Sequence, residues 1–278
     1  MLSKSTDPND YQSVARPVAA MPADYRRGHQ IALHRHARHQ LLLSAGGVAE
    51  VRSEGNCWVV PPGRAVWIPA GIAHSVSILT ATTLNSLYID RYAVHGHHPG
   101  IEVLSVPPLM NALIEDAMHI PVDYDADGRD GHIMALILAD MKTAPRLPLA
   151  TPEPTDRRLR AICDCLKREP WRSESLTSWG LEVGATARTL STLFKKETGL
   201  TFGRWRQQAR LVEAARRLAL EETVEKVAGD VGYASQSAFA SMFRRALGVT
   251  PSQYFQTGGQ APGVRSDSSR RRQEQPRR

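Results

Sequence analysis

Apolar residues along the chain follow two unlike rhythms, and the change comes near residue 150. Between about residues 29 and 92 they arrive in short bursts. "VAEVRS" (48–53) alternates apolar and polar positions, and "CWVV", "AVWIP", "HSVSILT" and "LNSLYID" are brief and rich in β-branched or aromatic residues. "GG", "EGN" and "PPGR" punctuate them as turns. Many short strands with tight turns predict a small sandwich or barrel.

The rhythm then lengthens to a helical period. "SVPPLMNALIEDAMH" begins at a Pro-Pro pair and carries Leu109, Leu113 and Ile114. "DGHIMALILADMKTA" carries Ile133, Leu136, Ile137 and Met141, interrupted by Asp140. So apolar a helix needs a partner: its own strands or a second copy of the chain. The acidic stretch between these helices, residues 123–130, reads as a loop. "APRLPLATPEPTD" (144–156) holds four prolines, which block helix and stiffen the backbone, and marks the main boundary.

Beyond it everything reads as helix. "RRLRAICDCLKREP" is basic and amphipathic, and Pro170 ends it. Two similar units follow. In the first, a short helix near 176–182 leads through Gly184 into a helix over 186–197. In the second, 224–230 leads through Gly232 and Tyr233 into a helix over 235–247. Gly199 and Gly248 suit the position just past each second helix. Leu190, Leu193 and Phe194 form one apolar face, and Ala238, Phe239, Met242 and Phe243 the other. A longer helix over 202–220 joins the units.

The chain has 278 residues, 42% hydrophobic and 23% charged, which suits two domains with ordinary cores. No apolar run is long enough to span a bilayer, and the N-terminus lacks a secretory stretch, so a cytoplasmic protein is expected. Three cysteines, Cys57, Cys163 and Cys165, give neither a disulfide framework nor a zinc cluster. Charge divides the chain. Residues 1–145 hold 11 Lys/Arg against 14 Asp/Glu, residues 146–255 hold 18 against 12, and residues 256–278 hold 6 against 2. A basic C-terminal half suits a polyanion partner. The last stretch, rich in Gly, Pro, Ser and Arg, is expected to be disordered.

Histidines supply the chemistry of the first half. His34, His36 and His39 cluster beside an apolar run. In an alternating strand His34 and His36 share one face. Gly28, His34, His36, Gln40 and Gly47, followed by Gly63, Pro69, Gly71 and His74, resemble the two signature motifs of the cupin barrel family. That resemblance implies that His34, His36, Gln40 and His74 converge inside a barrel. The family often binds a divalent metal there through three histidines and a glutamate, and Gln40 stands at the glutamate's place. Two readings stay open: a metal-free effector pocket of His34, His36, His39, Gln40, Trp58, Trp67 and His74, or a metal held by His34, His36 and His74.

"GYASQSAFASMFRRALGVTPSQYF" (232–255) and "FGRWRQQARL" resemble the DNA-binding domain of the AraC/XylS family of transcription regulators. With "HARHQLL" and "WVVPPGRAVWIPAGIAHSV", the whole chain resembles its NimR-like subgroup. The implied fold class is mixed: a cupin-type β-barrel with appended helices joined to an all-α domain of two helix-turn-helix units. The implied organisation is an extension (1–24), a sensing and dimerisation domain (25–145), a linker (146–156), a DNA-binding domain (157–255) and a basic tail (256–278). The implied function is sequence-specific regulation of transcription under a small-molecule effector. Double-stranded DNA, a second copy of the chain and, for an activator, RNA polymerase are the expected partners. The second helices would read base edges through Ala187, Arg188, Ser191, Thr192 and Lys195 in one unit and Ser235, Gln236, Ser237 and Ser241 in the other. Arg204, Arg206, Arg244 and Arg245 would meet phosphates. Thr192, and Trp179 with Gly180, depart from the family's usual residues. A metal-dependent cupin enzyme fused to a nucleic-acid-binding domain is the alternative function.

Overall fold

A computed structural model describes residues 4–94 and 99–254; the basic tail lies outside the described residues. Two antiparallel sheets lie face to face. The larger runs β1 (Val18–Tyr25), β8 (Thr82–Ile89), β3 (His39–Ser44), β6 (Arg64–Ile68), β9 (Glu102–Ser105) and β10 (Arg146–Leu147). The smaller runs β11 (Ala150–Thr151), β5 (Asn56–Val60), β4 (Ala49–Ser53), β7 (His74–Ile78) and β2 (Gln30–His34).

The expected closed cupin-type barrel is therefore corrected to an open pair of sheets. Closure needs edge strands that pair on both sides. Here β10 and β11 are two residues long, and Leu149 carries the chain from one sheet to the other between them. At the opposite side β2 is bulged between Ile31 and His34 and pairs only with β7. The strand expected to run through His34 and His36 stops at His34. The stretch read as an N-terminal extension holds a 3-10 turn (Pro8–Tyr11) and nearly all of β1, an edge strand in register with β8.

Period-two alternation sorts the side chains into layers. On the larger sheet Leu42, Val66, Ile68 and Leu84 face the smaller sheet's Val51, Trp58, Val76 and Ile78. Their neighbours Leu41, Leu43, Trp67, Leu87 and Ile89 face outward, where α1 (Pro108–Ala117) and α2 (Arg129–Thr143) cover them with Met110, Ile114, Ile133, Ile137 and Met141. The strongly apolar helices thus find their partner in their own sheet. Leu109 and Leu136, two residues of the sequence stripes, remain exposed.

The helical half follows the sequence reading closely: α3 (Arg157–Arg168), α4 (Leu176–Val183), α5 (Ala187–Thr198), α6 (Phe202–Ala219), α7 (Val224–Asp230), α8 (Gln236–Leu247) and α9 (Pro251–Tyr254). Each helix from α3 to α8 starts behind a capping side chain: Asp156, Ser175, Thr186, Thr201, Thr223 and Ser235 accept from the first-turn N–H groups. Gly199 and Gly248 end α5 and α8 at φ 71° and 80°, the left-handed backbone that favours glycine. Leu190 and Phe194 of α5 pack with α3 and with Trp205 of α6. Phe239, Met242 and Phe243 of α8 join Leu211, Val212 and Ala215 of α6 in the cluster that also holds the sandwich interior.

The linker is tied at both ends. Ala150 and Thr151 pair with Trp58 and Cys57 of β5. From the other side, Gln208 Nε2 of α6 donates to Ala150 O at 2.6 Å and Trp205 Nε1 to Pro152 O at 2.8 Å. Farther on, a Glu197 carboxylate oxygen at the end of α5 accepts from Thr155 N at 2.7 Å and Asp156 N at 2.9 Å. These backbone donors, Asp156 first, hold the Glu197 carboxyl below the usual carboxylate range.

Candidate effector pocket and nucleic-acid interface

Between the sheets, at the end where β2 stops, lies a cavity of about 90 Å³. Strand alternation supplies its walls: Gln40 and Leu42 from β3, Leu84, Ser86 and Tyr88 from β8, Met21 and Tyr25 from β1. His34 and His36 enter from the bulged edge. His74, at the first position of β7, stands beside them. The ring centroids are 4.7 Å apart for His34–His36, 4.3 Å for His34–His74 and 5.4 Å for His36–His74. One ligand atom from each lies within 4.8 Å of the others.

Backbone carbonyls orient two of these rings. His34 Nδ1 lies 2.7 Å from Ala32 O, and His74 Nδ1 lies 3.0 Å from Ile72 O. A carbonyl only accepts, so each Nδ1 donates a proton to it, and in the neutral ring Nε2 keeps its lone pair. His36 Nε2, His74 Nε2 and Gln40 Oε1 are buried without a hydrogen-bond partner among the described residues. Gln40 is fixed by its other end, where Nε2 donates to Ser86 Oγ at 3.0 Å. Burial, reinforced by His34 and His74, pushes the His36 pKa down to about 4. Burial likewise pushes His74 down to about 4, against the Ile72 carbonyl. Both rings are therefore neutral near pH 7, the form that binds a metal or exchanges hydrogen bonds with a ligand. The donor set fits a divalent cation: three imidazoles, two of them held neutral by burial and two oriented by backbone carbonyls.

Of the seven residues expected in this pocket, His34, His36, Gln40 and His74 come together. His39 turns away: its Nδ1 accepts from Ala70 N at 3.0 Å and its ring stacks on Trp67 at 4.7 Å. Trp67 lies in the outer layer under the helices, and Trp58 in the sandwich interior away from the cavity wall. Met21, Tyr25, Ser86, Tyr88 and Pro8 line the cavity without having been singled out in the sequence. Alternation along "VAAMPADY" and "TTLNSLYI" was the available signal.

In the helical half, Arg188, Ser191, Thr192 and Lys195 lie exposed on α5, and Ala187 is half-buried. Gln236, Ser237, Ser241, Arg244 and Arg245 lie exposed on α8, with Ser235 exposed at its cap. Some of these side chains already have intramolecular partners. Lys195 Nζ donates to Gly199 O at 2.9 Å, closing the end of its own helix, and Ser235 Oγ accepts from Ala238 N at 3.2 Å. Arg206 is half-buried, donates to Glu174 O at 3.0 Å and lies over the Phe202 ring at 5.0 Å. Arg204 is exposed. Trp179 and Gly180 have a packing reason. The Arg172 guanidinium sits 4.2 Å over the Trp179 ring, and a Cβ on Gly180 would come within 2.3 Å of Ala185 O.

Two family models together match most of the chain. The AraC-like ligand binding domain family matches residues 20–179, and a helix-turn-helix domain family matches residues 179–257. The HTH-type transcriptional regulator NimR of Escherichia coli K12 is 32% identical over 222 residues, covering 80% of this chain and 81% of that protein. The regulator RipA of Corynebacterium glutamicum is 39% identical over 103 residues, 37% of this chain and 31% of its own. Among solved structures, apo ToxT from Vibrio cholerae aligns over 87% of this chain and 98% of its own at 13% identity, with a TM-score of 0.38, too low to bear on the fold. No described helix is long and apolar enough to cross a membrane. The chain belongs to the AraC family of helix-turn-helix transcription regulators, DNA-binding proteins controlled by an effector through a ligand-binding domain.

Proposed function

We propose that α5 and α8 enter successive major grooves on one side of a DNA duplex, with α6 setting their spacing. The observation that carries this reading is the sorting of both helices. Leu190 and Phe194 on α5, and Phe239, Met242 and Phe243 on α8, are buried, while Arg188, Ser191, Thr192, Gln236, Ser237 and Ser241 face solvent. Arg188 has the reach to pair with guanine O6 and N7, and Gln236 with adenine N6 and N7. Arg204, Arg244 and Arg245 serve the phosphates. Arg206 and Lys195, each hydrogen-bonded to a backbone carbonyl of the protein itself, contribute charge rather than a direct reading. Operator selection from random duplexes, followed by Arg188→Ala and Gln236→Ala singly, tests the assignment. Each variant should lose about 1–3 kcal/mol of discrimination at one base position. Wild-type affinity and specificity in both would refute it.

In the same reading, residues 25–145, with β1 before them, form the sensing domain and 157–255 the DNA-binding domain. The small-molecule effector occupies the cavity beside His34, His36, Gln40 and His74, where the buried Nε2 and Oε1 atoms give it polar partners. A second copy of the chain and, for an activator, RNA polymerase complete the assembly. The three imidazoles also form a site able to hold a divalent cation, which would supply a Lewis-acidic anchor for an effector heteroatom. Metal analysis of purified wild type and His74→Ala after zinc loading and desalting tests the cation. Stoichiometric zinc in the wild type, lost in the variant, is the expected result; none retained in either would leave the pocket to the effector alone.

A further inference from the structure

A second cavity, larger than the one in the sandwich, opens between the two helix-turn-helix units, at about 400 Å³. Its floor is apolar: Leu200 after α5, Leu211 on α6, Met242 and Ala246 on α8, and Pro148 from the linker. Arg204 and Arg245 stand on its rim, one from each wall. Helical spacing puts them there, since Arg204 and Leu211 are seven apart on α6, and Met242 and Arg245 three apart on α8. The other arginines of α6 are engaged within the protein: Arg206 and Arg210 donate to backbone carbonyls, Arg216 pairs with Glu213, and Arg217 with Glu222 and Asp230. Arg204 and Arg245 have no ion pair among the described residues, so the groove joins an apolar floor to two uncompensated guanidinium groups.

We propose that this groove is a second small-molecule site, for a compact apolar carboxylic acid. The hydrocarbon body covers Leu211, Met242 and Ala246, and the carboxylate takes the guanidinium forks, whose planar donors match it better than any neutral head group. Charge also argues against the chain's own last residues as occupant, since 256–278 carry six arginines against two acidic residues. An acid seated here lies between the walls that carry the two units and engages Arg204 and Arg245, and so withdraws them from a duplex. That consequence rests on the DNA reading above; the binding does not, and is measured without DNA.

The test is isothermal titration of the full chain with sodium 4-phenylbutyrate and, in parallel, with 4-phenylbutan-1-ol. The acid should bind more tightly than the alcohol. The double variant Arg204→Ala/Arg245→Ala should weaken the acid by about tenfold and leave the alcohol within about twofold. Gln207→Trp, at an exposed position on the groove wall, should block both compounds while circular dichroism and melting stay as in the wild type. An acid that does not bind the wild type, binds the arginine and tryptophan variants unchanged, or is lost only in His36→Gln, overturns the proposal; the last result would place it in the sandwich pocket.

Discussion

At the scale of single residues, the histidine pocket sets a pH dependence. His36 and His74 are 7% and 1% exposed and titrate near 4 in the fold, against about 6.5 in an unfolded chain. Their folded pKa values are depressed bases, so the unfolded state takes up protons first. The stability they permit is complete above about pH 6.5 and is lost as pH falls from there toward about 4. Urea unfolding midpoints measured over that range should decline, and the decline should shrink in His36→Gln; equal slopes in both proteins would refute the assignment. The convergence of His34, His36, Gln40 and His74 was available only as what the resemblance to the cupin motifs implies. The placement of His39 was not legible in the sequence. It is the first residue of β3 and the ring turns to Trp67 and the Ala70 N–H, a choice made by tertiary contacts that strand alternation does not encode.

At the scale of elements, local signals acted together wherever the sequence reading succeeded. Each helix-turn-helix helix has a capping hydroxyl or carboxylate at its start and an apolar face of helical period, and α5 and α8 end at glycine. Thr186 caps α5, accepting from Thr189 N at 3.1 Å. Thr186→Ala should therefore cost about 1 kcal/mol, read as a lower melting temperature with the secondary structure retained; an unchanged melting temperature would show that the cap contributes nothing. Strands β4 to β8 were legible for the same reason, since each alternates or clusters β-branched residues between turn signals. Strand β1 is not legible in the sequence, because "VAAMPADY" is rich in alanine and contains Pro22. The edge position allows the proline, and pairing with β8, fixed only in the fold, makes it a strand. The openness of the two sheets was equally hidden. Motif spacing carries the positions of histidines and glycines, but not whether the two-residue strands at residues 146–151 suffice to close an edge.

At the scale of the whole molecule, the layers run from α1 and α2, through the larger sheet and the smaller sheet, to α6 and the DNA-binding helices. Glu50, Arg52 and Cys57 on the outer face of the smaller sheet line one cavity with Val212, Glu213 and Arg216 of α6. A single apolar cluster takes in Val51 and Val76 of the sandwich together with Leu211, Phe239 and Phe243 of the helical half. An effector bound between the sheets, as proposed above, would act on a wall that the helical half also touches, and differential affinity for two arrangements of that wall is what regulation requires. Strand β11 has a practical consequence for anyone dissecting the protein. It belongs to the linker in sequence but shields one border of the sensory half, lying along Cys57 and Trp58 of β5. A fragment that stops at residue 147 leaves those backbone groups bare, an invitation to stick to its own copies. A fragment carried through residue 156 keeps the shield, and light scattering on the two preparations should find the shorter one clumping and the longer one dispersed.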